Sequence, residues 1–224
     1  MNSGMTRLNA VEAVQSLEQG SITLLYRPRE EKPLRDLGDV QRLLLLLAPH
    51  GSPYARLVVI GRKRLPRAPQ HDRFWGFVDL VLTPDDMQAA LGTQVSSANT
   101  RLRQLPAARA LREGAYSLDL HNSHAHLRWH MERVPGDPFA PAIDLDKTAD
   151  YIVTVANPDI AAWGLSEVPD LQEELFDDLE LHVSLPSPYP PALQHRFGNR
   201  RFTQLDTTDW LDHPGTELVF ASAD

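Results

Sequence analysis

The chain of 224 residues contains no cysteine. That absence excludes a disulfide scaffold and thiolate chemistry, so any metal ion must be held by His, Asp or Glu. Long apolar runs are missing too. The longest, Leu43 to Ala48, is far short of the roughly 20 residues a membrane-spanning helix needs. Met1 to Gly20 has no basic region followed by an apolar stretch, so neither a signal peptide nor a transmembrane helix is expected. There is no phosphate-cradling glycine loop, no Gly-x-Ser-x-Gly elbow, no His-Glu-x-x-His and no dinucleotide fingerprint. No motif names a reaction, and whether the chain is an enzyme stays open at this level.

Positive charge is scarce overall. A formal net charge of -8 disfavours general binding to nucleic acid or to anionic membranes. Its distribution is uneven. Arg56, Arg62, Lys63, Arg64, Arg67 and Arg73 face a single acid, Asp72, whereas Thr148 to Gln194 holds nine acids and no Lys or Arg. Hydrophobic content of 42% and charged content of 23% describe a chain that folds, and the lack of cysteine suits a reducing cytoplasm. The length fits a single globular domain over 1–224, or two hairpin-based halves, about 1–92 and 115–224, joined by a basic segment.

Local signals point to an α+β protein, mainly antiparallel β, with hairpins forming a sheet or partly open barrel and a few short helices. Asn9 followed by Glu12 resembles a capping box and predicts a helix Ala10 to Gln19, with Gly20 as its C′ residue. A strand Ser21 to Tyr26 follows, closed by Arg27-Pro28. Gln41 to Ala48 reads as a buried strand, apolar on both faces, returning through Arg56 to Lys63, and Phe74 to Leu82 is the next strand. Thr83 caps a helix that Pro84, Asp85 and Asp86 open and Gly92 ends. Thr93 to Gly114 resists assignment. A hairpin Ala115 to Arg133 and a strand Asp150 to Ala156 come next, so two hairpin-then-strand units, about 41–82 and 115–156, follow one another. Leu171, Leu175 and Leu179 suggest an acidic helix, Pro190-Pro191 opens a short one, Trp210 sits on a capped turn, and Thr216 to Ser222 is a final strand.

The second hairpin carries four of the nine histidines in His121-Asn-Ser-His124-Ala-His126-Leu-Arg-Trp-His130. A two-residue turn at Asn122-Ser123 sets Asp119 opposite His126 and His121 opposite His124. Alternation then gives an apolar face with Tyr116, Leu127 and Trp129, and a polar face with Asp119, His121, His124, His126, Arg128 and His130. Asp119, His124 and His126 can be read as ligands of a divalent metal, or Asp119 as the group that fixes a His126 tautomer for acid/base work. The competing reading is a hydrated sheet face, in which Arg128 repels a cation. His124-Ala-His126 resembles the first motif of the cupin family, yet Glu132 lies one residue too far along and Gly114 too far before. It also resembles the metallo-β-lactamase motif, where Arg128 and Trp129 stand in place of Asp and His. Neither resemblance carries a function across.

A second candidate is Gly61-Arg-Lys-Arg-Leu-Pro66 with Arg73-Phe-Trp-Gly-Phe-Val78. Arg62, Lys63, Arg64 and Arg73 beside aromatic residues can hold a phosphate or carboxylate, because guanidinium forks pair with such groups and aromatic faces stack bases. The alternative is a solvated hairpin end with Phe74, Trp75 and Phe77 in the core. Arg200 and Arg201 are a further cationic pair. Tyr26-Arg-Pro28, these two segments and Gly198-Asn-Arg-Arg-Phe202 together resemble a bacterial protein family without an assigned activity, which implies a bacterial cytosolic protein and no particular ligand. The expected function is a non-enzymatic binding or interaction protein for an anionic small molecule or an acidic protein surface. The alternatives are a divalent-metal-dependent enzyme using Asp119, His124 and His126, and an interaction module using the acidic segment Glu167 to Glu180.

Overall fold

The structure is a computed structural model that describes residues 14–29, 39–61, 73–96, 103–136, 146–160 and 189–223. Four strands come first: β1 (Val14–Pro28), β2 (Val40–Pro49), β3 (Ala55–Ile60) and β4 (Arg73–Leu82). Helix α1 (Pro84–Leu91) and two three-residue strands, β5 (Gln94–Ser96) and β6 (Arg103–Leu105), lead to β7 (Arg109–His121), β8 (His124–Arg133) and β9 (Thr148–Ala156). Helix α2 (Pro191–Phe197), β10 (Phe202–Gln204), a 3-10 turn (Thr208–Asp212) and β11 (Glu217–Ser222) are the last of the described elements.

All the strand pairings are antiparallel, in the order β9-β11-β4-β3-β2-β1-β7-β8, and β8 pairs back onto β9. The result is a closed eight-stranded barrel, which removes the free edges a partly open barrel would leave. Closure depends on β11 entering between β4 and β9, a pairing between distant segments that no local pattern encodes. The strands β1–β4 and β7–β11 form two arcs that meet at β1–β7 and β4–β11, so both halves share one interior.

Alternation decides what fills it. Leu43, Leu45 and Leu47 of β2 point inward, while Leu44 and Leu46 point outward into a second cluster beneath α1. The leucine run is therefore apolar on both faces because both faces are covered. Side chains fill an eight-stranded barrel almost completely. Beside Leu47, Tyr116 and Leu211 an apolar cavity of about 10 Å³ remains, room for one water at most.

One end is plugged by α2 and the 3-10 turn, where Phe197 and Trp210 are fully buried and their rings meet at 5.1 Å. Thr207 caps that turn through Asp209 N, and Trp210 Nε1 donates to Asp206 Oδ1 at 3.1 Å. A buried ion pair fastens the plug to the wall. Arg56 Nη1 donates to Glu18 Oε2 at 2.6 Å and Arg56 Nε to Asp212 Oδ1 at 2.8 Å, while Tyr116 Oη donates to Glu18 Oε1 at 2.5 Å. Burial and the adjoining Glu18 carboxylate raise the Tyr116 phenol, and the two carboxylates outweigh desolvation to raise Arg56.

Thr83 accepts from Asp86 N, Pro84 occupies the first helical turn and Gly92 caps α1, as its sequence signals require. Arg27 holds that helix to the barrel by donating to Ala90 O at 3.1 Å and Gly92 O at 3.2 Å. The expected helix Ala10 to Gln19 is overturned: Val14 to Gln19 are strand, paired with His121 through Ser117 of β7. Cross-strand pairing outweighed the capping pattern. Gly20 is mid-strand, where a Cβ would lie 2.3 Å from Ala48 O, so close backbone approach and not a helix end requires glycine. The acidic leucine-spaced segment 171–179 lies outside the described residues.

Candidate functional site

The histidine hairpin has the expected register. Asn122 and Ser123 form a two-residue turn with Asn122 at φ 50°, Asp119 faces His126, His121 faces His124, and Tyr116 faces Trp129. Leu127 and Trp129 are buried inside the barrel, so the histidine row lies on its outer wall. Asp119, however, does not serve His126. Its Oδ2 accepts from Ser117 Oγ at 2.7 Å and from Arg128 Nη1 at 3.4 Å. Sequence reasoning missed the actual partner, Asp150 of β9. Asp150 Oδ1 lies 2.8 Å from His126 Nδ1, and Asp150 Oδ2 accepts from Arg128 Nε at 2.7 Å. The strand Asp150 to Ala156 was legible, but its pairing beside β8 was not.

In a neutral His126 ring this bond places the proton on Nδ1 and leaves Nε2 as an acceptor, the orientation a carboxylate imposes on a working imidazole. The His121 ring lies 5.0 Å away, with Nε2 3.3 Å from Arg128 Nη2. His124, at the turn, is exposed and contacts Ser123 Oγ at 3.3 Å. Asp119, His124 and His126 thus point to different partners, and no group of three or more His, Asp or Glu among the described residues is arranged to hold a metal ion. Arg128 is embraced by two carboxylates, Asp119 and Asp150, in one polar network on the wall.

The basic candidate has a different geometry. Arg62, Lys63 and Arg64 lie outside the described residues. Arg73 opens β4, is exposed, and has no hydrogen-bond or ion-pair partner among the described residues. Alternation along β4 buries Phe74 in the barrel and Phe77 beneath α1, leaving Trp75 half-buried on the outer wall beside Arg73. Trp75 meets Phe202 of β10, with ring centroids 5.8 Å apart at 46°. The two cationic segments, Arg73-Phe-Trp75 and Arg200-Arg201-Phe202, are remote in sequence and are joined here by their aromatic residues. Arg56, counted with the basic run, is instead inside the barrel.

Through the strand registers, Arg73, Ala221, Ile152, His126 and Asp119 form one lateral row across β4, β11, β9, β8 and β7. The neighbouring row carries Trp75, Val219, Thr154 and Gln204. One row further from Arg73, opposite Phe77, Glu217 is buried on the same outward face, its Oε2 without a partner, its carboxyl pushed up to about 7 by desolvation. Comparison with protein-family models, with curated proteins and with solved structures found no match. The chemistry of these two outer-wall sites therefore carries the functional argument.

Proposed function

We propose that this chain is a non-enzymatic binding protein of the bacterial cytosol that takes an anionic small molecule at the basic and aromatic edge formed by Arg73, Trp75 and Phe202. The observation that carries this reading is the Trp75–Phe202 contact on the outer wall beside an exposed Arg73 that has no carboxylate partner among the described residues. Arg62, Lys63 and Arg64 precede the same strand in sequence. An acidic surface of a partner protein is the other anion this edge suits. A metal-dependent enzyme built on Asp119, His124 and His126 has no comparable support, since Arg128 occupies the centre of that row.

Phosphate and sulfate are expected to raise the melting temperature of the wild type, because a ligand stabilises the state it binds. The gain should disappear in Arg73→Ala and in Arg62→Ala/Arg64→Ala. Equal gains in all three proteins would refute the reading.

A further inference from the structure

We infer that the ligand of this edge is a nucleoside monophosphate, its base stacked on the Trp75–Phe202 pair and its phosphate on Arg73. The inference rests on the proposed anion site and names its ligand. Of the aromatic residues near Arg73, only Trp75 is left partly open, since Phe74 and Phe77 are 1% and 3% exposed. Phe202, at 38%, is one of three exposed large hydrophobic residues among those described. An aromatic pair left open to water on a sheet is a platform for another flat ring. Val219, Thr154 and Ala156, on the strands between them, are short, and the two rings meet across the wall tilted 46° to each other.

Arg73 is two positions from Trp75 on the same strand and face, about 6.8 Å along the strand, a separation that a pentose bridges between a base and its phosphate. Its planar fork pairs with phosphate oxygens in two places at once. Glu217, 7% exposed on that outward face, lacks a donor for Oε2. Exocyclic amino groups of bases are donors of the kind it lacks, which favours a nucleobase over a plain aromatic acid. The net charge of -8 repels a polyanion, so a free mononucleotide fits better than a nucleic acid strand.

Binding of AMP, inorganic phosphate, adenosine and a single-stranded oligoadenylate is to be measured by calorimetry and tryptophan quenching on the wild type, Trp75→Leu, Phe202→Ala and Arg73→Ala. AMP should bind at least about tenfold tighter than phosphate and quench fluorescence, the advantage expected for one stacked base. Trp75→Leu and Phe202→Ala should lose that advantage while keeping phosphate binding, and Arg73→Ala should lose both. Phe202→Ala alters an exposed residue, so it tests the platform even if Trp75→Leu folds poorly. Equal affinity for AMP and phosphate would overturn the nucleotide while leaving the anion site standing. Tighter binding of oligoadenylate than of AMP would overturn the free nucleotide. No binding of any of them would remove the anion site as well.

Discussion

Asp150 Oδ1 lies 2.8 Å from His126 Nδ1, although the hairpin register sets Asp119 directly opposite the same histidine. The carboxylate that orients His126 comes from the third strand of the meander. In the wild type, nitrogen-detected NMR should find neutral His126 protonated on Nδ1. Asp150→Asn should shift the ring toward the Nε2–H tautomer, and Asp119→Asn should leave it unchanged. Asp150→Ala should cost about 1 kcal/mol, because both bonds it loses are partly solvent-exposed. A tautomer that responds to Asp119 and not to Asp150 would contradict the geometry.

Glu217 should make stability depend on pH. Its folded carboxyl titrates at about 7, above the value of roughly 4.3 in an unfolded chain, so the folded state holds the proton more tightly. Its contribution is complete below the unfolded value and is lost as pH rises through the folded one. Denaturant titrations between pH 5 and 8 should show the wild type weakening. Glu217→Gln should flatten the curve and be more stable at pH 8 by roughly 3 kcal/mol or less. Parallel curves for the two proteins would show that Glu217 does not titrate in this range.

Arg56 and Glu18 are the charges most committed to the fold. Glu18→Leu alone leaves a guanidinium in the barrel with only the half-exposed Asp212, and should cost about 3–5 kcal/mol. Arg56→Met alone strands Glu18 in the same way. The double variant should recover much of either loss, since well-packed apolar groups replace buried pairs at little cost. Additive losses on chemical denaturation would indicate that the two do not act as a pair.

What was legible in the sequence was local. Thr83, Pro84 and Gly92 mark α1 because capping is settled within one turn, and Asn122-Ser123 fixes the hairpin register because a two-residue turn allows only one. Trp129 and Leu127 alternate into the core for the same reason. Closure of the barrel, the insertion of β11 beside β4, and the partnership of Asp150 with His126 depend on which distant strands become neighbours. Val14 to Gln19 show the limit from the other side: a capping pattern was present, and pairing with β7 overrode it. Trp75 and Phe202 belong to separate sequence segments, and the β9–β10, β9–β11 and β4–β11 pairings bring them into contact.

Metal binding at the histidine hairpin is the remaining question the register raises. Asp119 and His126 are directly opposite, as a shared ligand set needs, but the Asp119 carboxylate accepts from Ser117 and Arg128, His126 Nδ1 is bound to Asp150, and His124 turns to Ser123. Arg128 already takes up both carboxylates of this row, so a cation must displace the guanidinium to gain a ligand. Zinc, manganese and iron titrations at pH 7.5 should therefore give weak binding that is the same for the wild type and for His124→Ala/His126→Ala. Arg128→Ala removes the competing charge and frees both carboxylates, so it should bind zinc more tightly than the wild type, and less so at pH 5.5, because protons compete with a metal for its ligands. Tight binding by the wild type that the double variant abolishes would restore Asp119, His124 and His126 as a metal site and, with it, the case for an enzyme.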